Sequence, residues 1–209
     1  MAGRSRYSLG DKEAGIQDGV LENKLGIRHQ SELDDAETIL FSDAYKHFFD
    51  LHAQGKLTLD LSLLFHIHEY FLSPLYAWAG KIRSVEIAKG GTRFASASHI
   101  ADSLHVFEKT FRQKIPTHKK TKQQIAQCLA VIHCELNAIH PFREGNGRTI
   151  RLFLDLLAAQ AGFNPIEWDK RTQKAYIQAC ADGMLQEYSA MAKIIYAGLK
   201  KQNGSLQGA

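Results

Sequence analysis

The chain is organised around the stretch His140-Pro-Phe-Arg-Glu-Gly-Asn-Gly-Arg-Thr-Ile-Arg151. The stretch brings together a titratable base, a carboxylate, two glycines flanking an amide, and two arginines. Apolar residues at helical spacing precede and follow it, so it is predicted to be the loop of a helix–loop–helix junction. No other segment concentrates as many groups capable of chemistry. We therefore interpret the remaining segments by what they contribute to this loop.

The helices on either side of the loop are the most strongly patterned in the chain. The helix before it is predicted over 119–139, from apolar residues at spacings of four, three, four and three: Ile125, Leu129, Ile132, Leu136 and Ile139. The helix after Gly147 is predicted to end at Gly162 and carries Ile150, Phe153, Leu154 and Leu157. The first helix therefore delivers the chain directly to His140.

The rest of the chain predicts five more helices and one β-hairpin. The helices are 31–55 with Ser31 as cap, 58–73 with Thr58 or Asp60 as cap and a break before Pro74, 96–116 with Ser96 or Ser98 as cap, 169–181 and 184–200. Residues 83–94 contain Gly90-Gly91 and predict a short hairpin. The fold class is therefore all-α with one small hairpin.

Three regions are predicted along the chain. Residues 1–20 are rich in glycine and charge and predict an irregular arm, residues 21–200 predict one domain, and residues 201–209 predict a loose tail. A length of 209 residues with 44% hydrophobic and 23% charged residues suits a single globular domain. No apolar run approaches the roughly 20 residues of a membrane span.

Charge and cysteine content limit the classes of partner and metal. The net charge of +4 is a mild basic bias, which does not predict direct binding to nucleic acid. The three cysteines are spaced unlike zinc ligands and predict buried thiols in a reducing cytosol. His66 and His68 diverge on a helix and are interpreted as surface or core-edge side chains.

The loop residues suit acid–base chemistry beside an anion. Pro141 should push His140 into an extended conformation at the loop entrance, where an imidazole is a natural general base. Gly145 and Gly147 allow consecutive backbone amides to point outward before a helix N-terminus, which favours an anion. The sequence therefore predicts a base next to an anion site.

Charged side chains in the same stretch extend this interpretation to a nucleotide. Arg148 and Arg151 are three residues apart on one helical face and can contact the outer oxygens of one anion. Glu144 beside an anion is explained by a bridging Mg²⁺, because a carboxylate plus phosphates is a common magnesium site. Taken singly, these residues also suit a helix cap, a tight turn or a solvated face. Their ordered conjunction favours a magnesium–nucleotide site.

The whole stretch resembles the signature of the Fic family, His-x-Phe-x-[Asp/Glu]-Gly-Asn-Gly-Arg-x-x-Arg, without a departure. The resemblance extends outside the signature over roughly 20–200. The segments that carry it are Tyr76-Ala-Trp-Ala-Gly-Lys-Ile-Arg83 before the family's flap, Gly91-Thr-Arg-Phe-Ala95 in the flap, and Asn23-Lys-Leu-Gly-Ile27 at the family's N-terminal entry. A Fic-fold helical bundle with a β-hairpin flap beside the active-site loop is therefore expected.

The resemblance implies a protein adenylyltransferase. His140 would deprotonate a Ser, Thr or Tyr hydroxyl of a target protein, and that oxygen would attack the α-phosphorus of ATP and release pyrophosphate. Glu144 would hold Mg²⁺, and Phe142 would anchor the loop in the core. The phosphate-binding residues would be Gly145, Asn146, Gly147, Arg148 and Arg151. Positioning and charge stabilisation suffice for such a transfer.

The hairpin is expected to bind the target. An exposed strand can hold an extended peptide by main-chain pairing, although a plain connecting hairpin would have the same shape. The residues expected in this target-binding flap are Arg83, Ser84, Val85, Gly91, Thr92, Arg93 and Phe94.

Regulation is expected to come from another protein. Many Fic enzymes carry a [Ser/Thr]-x-x-x-Glu-[Gly/Asn] helix whose glutamate pairs with the second arginine of the signature. The near match Asp18-Gly-Val-Leu-Glu22-Asn23 lacks the Ser or Thr and is interpreted as coincidental. A small antitoxin-like partner is therefore expected to supply a glutamate to Arg151.

Two alternative activities and two cellular settings stay open. A Doc-like kinase or transfer of another nucleoside monophosphate is possible chemistry, although the intact Gly145-Asn146-Gly147 argues against the kinase. A catalytically inert Fic-fold binding module is the alternative from another class, and the complete signature argues against it. The chain is expected to act in a bacterial cytoplasm as a toxin, or in a host cell as part of a secreted effector.

Overall fold

The computed structural model of the protein describes residues 8–9, 15–17, 19–89, 92–168 and 173–202. Within these ranges the helices are Gln30–Ala53 (α1), Leu61–Leu72 (α2), Ile100–Lys114 (α3), Lys122–Ile139 (α4), Asn146–Gln160 (α5), Gln173–Met184 (α6) and Ser189–Gly198 (α7). The strands are Ser8–Leu9 (β1), Ile16–Gln17 (β2), Val20–Leu21 (β3), Ile87–Lys89 (β4) and Thr92–Arg93 (β5). The predicted helical fold with a small hairpin is confirmed.

Helices α4 and α5, which flank the loop, form the centre of the bundle. Helix α4 packs against α3, α5, α6 and α7, and α5 also packs against α1 and α2. Helix α5 is buried over most of its length because α1, α2 and α4 pack around it. The loop that joins α4 to α5 is therefore attached to the most buried part of the molecule. Among the described residues, no helix is both long and apolar enough to cross a membrane.

Side-chain caps explain where α2 and α4 begin. Asp60 accepts hydrogen bonds from the first-turn amides of α2, as the sequence predicts. Thr121 forms a capping box with Gln124 at the start of α4, in which each side chain accepts from the backbone N–H of the other. The start of α4 is therefore encoded within its own first turn.

The serine caps predicted for α1 and α3 are wrong. Helix α1 begins at Gln30, one residue before Ser31, and its first turn has no side-chain cap. The Gln30 amide donates to the Asp34 carboxylate at 2.7 Å, an i,i+4 contact that favours including Gln30 in the helix. Helix α3 follows a short 3₁₀ turn, Ala97–His99, and Ser96 at its start binds the Glu86 carboxylate rather than a helical amide.

Two small sheets lie at the N-terminal side of the fold. Strands β4 and β5 form the predicted hairpin, and β1 pairs antiparallel with β4 in the register Ser8↔Ala88 and Leu9↔Ile87. Strands β2 and β3 pair with each other. The stretch 1–20 is thus not wholly irregular, because the residues described within it contribute to three strands. Two-residue strands carry too little alternation to be read from sequence.

The C-terminal residues also differ from expectation. Helix α6 begins at Gln173, and residues 169–172, predicted as its first turn, lie outside the described ranges. Lys201 forms a β-bridge with Phe163, and the Gln202 N–H donates to the Gly162 carbonyl at 3.1 Å. The prediction of a loose tail is therefore wrong for residues 201 and 202, and the rest of it lies outside the described ranges.

Candidate active site

His140 ends α4 in a left-handed backbone conformation, with φ 48° and ψ 63°. The extended geometry predicted from Pro141 is therefore wrong. Pro141 disfavours only the right-handed helical region at the preceding residue, and a left-handed residue meets that restriction while also closing the helix. The His140 N–H still donates to the Leu136 carbonyl at 2.9 Å. A non-glycine residue held in this region is strained, which is common at functional sites.

The His140 imidazole has a defined tautomer. Its Nδ1 lies 3.1 Å from the carbonyl oxygen of Asn137, and a carbonyl can only accept. Nδ1 therefore carries the hydrogen, and Nε2 carries the lone pair that a general base needs. Phe94 of the flap stacks on the imidazole at a centroid distance of 3.7 Å, and His140 is 4% exposed. The imidazole is thus oriented by α4 and covered on one face by the flap.

Phe142 anchors the loop in the core, as expected. The side chain is fully buried and contacts Phe65 edge to face, with ring centroids 5.1 Å apart. His68 stacks on the other side at 3.8 Å. The loop cannot move away from α2 without exposing this aromatic group to water.

His68 also connects the loop to the segment after α2, because each ring nitrogen makes one hydrogen bond. The Gly80 N–H donates to Nδ1 at 2.8 Å, so the hydrogen is on Nε2, which donates to the Glu144 carbonyl at 2.9 Å. Burial lowers the pKa of His68 to about 4 and keeps the ring neutral. The surface or core-edge interpretation is thus wrong for His68, whereas His66 is exposed.

The Asn146 side chain closes the loop upon itself. Its Oδ1 accepts the Phe142 N–H at 2.9 Å, and its Nδ2 donates to the Phe142 carbonyl at 2.6 Å. Because both polar atoms of this buried side chain are bound to Phe142, the side chain supports the loop and does not itself form the anion cradle predicted at 145–147. Gly145 has φ +81°, and a Cβ there would lie 2.8 Å from a Leu72 methyl. Glycine is therefore required at 145 both by the left-handed backbone conformation and by the lack of room for a side chain.

Glu144 lies beside the first amides of α5. Its Oε1 accepts the Gly145 N–H at 2.8 Å and lies 3.7 Å from Nη2 of Arg148. Among the described residues, no three or more His, Cys, Asp or Glu side chains surround a common metal position. One carboxylate at a helix N-terminus nevertheless fits Mg²⁺, because this ion keeps water and substrate phosphates as its other ligands.

The two arginines of the stretch have different surroundings. Arg148 forms an ion pair with Glu37 of α1 at 2.5 Å, and its guanidinium lies over the Phe71 ring at 5.4 Å. Arg151 donates from Nε to the Gly147 carbonyl at 3.1 Å. Both side chains are half-buried. They therefore place two positive groups at the first two turns of α5, each held by a different contact.

Arg83 holds the flap to the loop. Its backbone N–H donates to the Pro141 carbonyl at 2.9 Å, and its Nε donates to the His140 carbonyl at 2.8 Å. The two ends of its guanidinium donate to the carbonyls of Val85 at 2.6 Å and Ala95 at 2.5 Å. Arg83 is 4% exposed. Its side chain thus fastens the flap internally and does not face a target, in contrast to the role expected for it.

The other expected flap residues lie around β4 and β5. Ser84 and Arg93 are exposed, while Val85 and Phe94 are half-buried. Thr92 pairs with Lys89 across the hairpin. Gly91 lies outside the described residues.

A groove of about 880 Å³ borders the flap next to His140. Phe94 and Ile139 line it on the side of the loop, and α3 and the turn between α6 and α7 supply the other walls. Gln186 in that turn has φ 63°, a second non-glycine residue in the left-handed region. The groove therefore reaches Phe94, the ring that stacks on His140, and Ile139, the residue before it, while His140 itself stays buried.

The near match to the inhibitory motif is not a helix. Residues 16–17 and 20–21 are strands β2 and β3, and Glu22 follows β3 as an exposed residue. Its carboxylate and the Arg143 guanidinium both approach Gly15, at 3.6 Å and 3.3 Å from an ideal Cβ position there. Asp18 lies outside the described residues.

Comparison with known proteins identifies the family. The model of the Fic/DOC family matches residues 58–158. The probable protein adenylyltransferase y4lH of Sinorhizobium fredii is 30% identical over 171 residues, which cover 81% of this chain and 84% of that protein. The protein adenylyltransferase VbhT of Bartonella schoenbuchensis is 32% identical over 87% of this chain. The chain belongs to the Fic/DOC family.

The match to VbhT covers 37% of the length of that protein. Among solved structures, the Bartonella tribocorum effector BepC with bound AMPPNP superposes with a TM-score of 0.71 at 24% identity, covering 87% of this chain and 93% of that one. An N-terminal Fic domain from Bartonella quintana with bound ADP gives a TM-score of 0.72 at 23% identity, with 88% and 92% covered. These structures establish the fold.

Three residues that hold the site were missed from the sequence: His68, Glu37 and Tyr76. Tyr76 and Glu37 form one support of the loop, because the Tyr76 hydroxyl donates to Glu37 Oε1 at 2.5 Å. His68 forms a second, separate support. A signal for Glu37 was present, because it lies on the apolar face of α1 between Leu33 and Leu40. A carboxylate on a buried face is rarely fully buried without a partner.

Proposed function

We propose that the protein transfers AMP from ATP to a hydroxyl side chain of a target protein. The observation that carries the proposal is the Nδ1-protonated tautomer of His140, which leaves the lone pair on Nε2, at the start of the loop that leads into the N-terminus of α5. The backbone amides of that N-terminus are suited to phosphates. The names of the relatives from Sinorhizobium and Bartonella support the same activity.

In the proposed reaction, Nε2 of His140 takes the proton from a Ser, Thr or Tyr hydroxyl. The target oxygen forms a bond to the α-phosphorus of ATP, the bond from that phosphorus to the bridging oxygen breaks, and pyrophosphate leaves. The Nδ1–H bond to Asn137 stabilises the imidazolium formed in this step. The target protein keeps AMP through a phosphodiester bond.

The phosphates would be held by the first turn of α5. The backbone of Gly145, Asn146 and Gly147 would form the phosphate cradle, for which the Gly145 N–H would exchange its present acceptor, Glu144 Oε1, for a phosphate oxygen. Arg148 and Arg151 would supply positive charge for the outer phosphates. Glu144 would hold Mg²⁺, which supplies charge neutralisation for the triphosphate. The bound AMPPNP and ADP in the Bartonella structures support a nucleotide as the co-substrate.

The flap would hold the target. An extended segment would pair with a flap strand, with Ser84, Val85, Gly91, Thr92 and Arg93 as the contact residues, and Phe94 would close the space beside His140. Main-chain pairing presents a hydroxyl to the base with little dependence on side chains. The target is therefore defined by its shape and by contacts elsewhere on its surface.

Inhibition by a separate antitoxin-like protein that supplies a glutamate to Arg151 is part of the proposal. Among the described residues, the segment around Glu22 contains strands β2 and β3 and no helix, which supports an external source for that glutamate. Because ATP is required, the reaction belongs in a cytoplasm, either that of the bacterium or that of a host cell reached by secretion. The domain that performs it is proposed to span 21–200.

Labelled ATP tests the activity. The purified chain is incubated in bacterial and eukaryotic lysates with ATP labelled at either the α- or the γ-phosphate, and proteins are separated by mass. We expect the α-label on a protein band with the wild type and with His66→Ala, which alters an exposed histidine, and no label with His140→Ala. A γ-labelled band that appears with the wild type and not with His140→Ala would identify a kinase instead. Equal labelling with His140→Ala would overturn the role of the base.

A further inference from the structure

Glu37 is a buried carboxylate with two assigned partners. It lies in the middle of α1 and is 2% exposed. Its Oε1 accepts the Tyr76 hydroxyl at 2.5 Å, and its Oε2 accepts Nη2 of Arg148 at 2.5 Å. Tyr76 is itself 1% exposed. A carboxylate is stable in such a position only when its charge is paired and both oxygens accept hydrogen bonds.

Glu37 contacts the Arg148 guanidinium from the buried side. The side chain of Glu37 is 3% exposed, whereas that of Arg148 is 17% exposed. The accessible part of the guanidinium is therefore the part that Glu37 does not cover. Phe71 supports one face of the group at 5.4 Å, and Glu144 lies 3.7 Å from its Nη2. These contacts restrain the guanidinium, and the exposed 17% of the Arg148 side chain is the part open to a ligand.

From this arrangement we infer that Glu37 is a positioning residue for the transfer reaction, acting through Arg148. A guanidinium is a planar fork whose donors fit a phosphate only at defined angles. The Glu37 carboxylate fixes one arm of the fork from the core side, so the other donors meet the outer phosphates without further ordering. The inference rests on the proposed function, because it takes the ligand of Arg148 to be a nucleotide phosphate.

Competition between Glu37 and the phosphates is the opposite role, and the geometry disfavours it. A competing carboxylate has to occupy the space that the phosphates would take. Glu37 instead approaches from α1, with Oε1 bound to Tyr76 inside the core. Burial first, and then the nearby Glu37 carboxylate, raises the pKa of Tyr76, so its hydroxyl stays a donor at every physiological pH. The carboxylate is thus held away from the open side of Arg148.

The test is a double-mutant cycle on the full chain, with Glu37→Gln, Arg148→Gln and the double variant. Glutamine keeps the size of Glu37 and can still accept from Tyr76, but it removes the charge that orients Arg148. Glu32→Gln is the matched control, because it removes the same charge from an exposed position of α1. AMP transfer gives kcat and KM for ATP, titration calorimetry with ATP gives binding, and thermal melting reports folding.

We expect Glu37→Gln to lower kcat by about 10- to 100-fold with a smaller change in KM. The double variant should be no slower than Arg148→Gln alone, since a residue that acts through Arg148 has nothing left to orient. Glu32→Gln should match the wild type. If Glu37→Gln does not melt cooperatively, Glu37→Asp, which keeps the charge on a shorter side chain, takes its place and should show the same non-additivity.

A kcat of Glu37→Gln equal to or above that of the wild type would overturn the inference and leave the proposed function intact. Independent, multiplying effects of the two substitutions would overturn it as well. If the wild type transfers no AMP, the proposed function fails on its own, and calorimetry with ATP still tests whether Glu37 positions Arg148. Glu37→Gln should then weaken ATP binding in the wild type and not in Arg148→Gln. Failure of the wild type to bind ATP would overturn both.

Discussion

Replacing Arg83 with Met should detach the flap from the loop that carries His140. Methionine keeps much of the apolar volume of the side chain but removes every donor. The variant leaves the carbonyls of His140, Val85 and Ala95 without the hydrogen bonds that Arg83 gives them at 2.8, 2.6 and 2.5 Å. Two of these carbonyls belong to the flap and one to His140, so one substitution loosens both the flap and the loop.

The magnitude follows from the number and kind of these bonds. A hydrogen bond to a charged group contributes roughly 1.5–3 kcal/mol, so three of them amount to about 4.5–9 kcal/mol. Release of the buried guanidinium from its desolvation cost offsets part of that loss. We therefore expect a net loss of about 3 kcal/mol in the free energy of unfolding. For a chain of this length, that corresponds to a fall in Tm of roughly 6–12 °C.

Thermal unfolding and hydrogen exchange measure the two consequences separately. Thermal unfolding should give the fall in Tm, and amides of 85–89 and 92–95 should lose protection before the rest of the fold. Arg112→Met is the control, because Arg112 is 75% exposed in a surface ion pair with Glu108 and should change stability by less than about 0.5 kcal/mol. A Tm within about 2 °C of the wild type, or unchanged flap protection, would refute the fastening role.

Three further substitutions test other parts of the fold. Gly145→Ala places a methyl group 2.8 Å from Leu72 at a φ of +81°, so urea unfolding should show a loss of about 2 kcal/mol or more and AMP transfer should fall; an unchanged midpoint would contradict this. Gly183→Ala places Cβ 2.4 Å from Cys134 Sγ in the α4–α6 contact and should cost roughly 1–3 kcal/mol in the same assay, a change below about 0.5 kcal/mol being the contrary result. Burial raises the pKa of Asp155 to about 6 from 3.8, so the folded state retains its proton to higher pH than the unfolded chain, and stability is lost as pH rises through this interval. Urea unfolding at pH 4 and pH 7 should show the wild type losing up to about 3 kcal/mol relative to Asp155→Asn, and a difference independent of pH would contradict the assigned pKa.

Helix positions followed from the sequence where one face of the helix is apolar along its whole length. Helices α4 and α5 satisfy this condition, since each carries apolar residues at 3.6-residue spacing and ends at a residue that breaks the pattern. The start of α1 did not follow, because Ser31 and Gln30 offer the first turn competing contacts of similar strength. Local cap preferences differ by about 1 kcal/mol, which a neighbouring contact can reverse.

In the site, too, residues within one short stretch could be predicted from the sequence, whereas contacts between distant segments could not. Residues of the loop itself were recognisable because order and spacing over a short stretch carry the signal. The partner of Arg148 was not, because Glu37 is separated from it by 111 positions, and sequence spacing carries no information on such a contact. The backbone at His140 was misjudged for a related reason. Pro141 restricts it to two regions, and the return of the chain toward α2 selects between them.

The pairing of β1 with β4 has a consequence for the proposed binding of a target by the flap. A strand partner drawn from the same chain is present at an effective concentration on the order of millimolar. Any segment that binds this edge of β4 must displace Ser8–Leu9 from its register with Ile87 and Ala88. A short extended peptide alone is therefore a weak ligand, because it gains only the hydrogen bonds that β1 gives up. A protein that also contacts a second surface of the chain gains further binding free energy, which compensates for the displacement of β1. The pairing of β1 with β4 therefore favours proteins with such a second contact over short peptides.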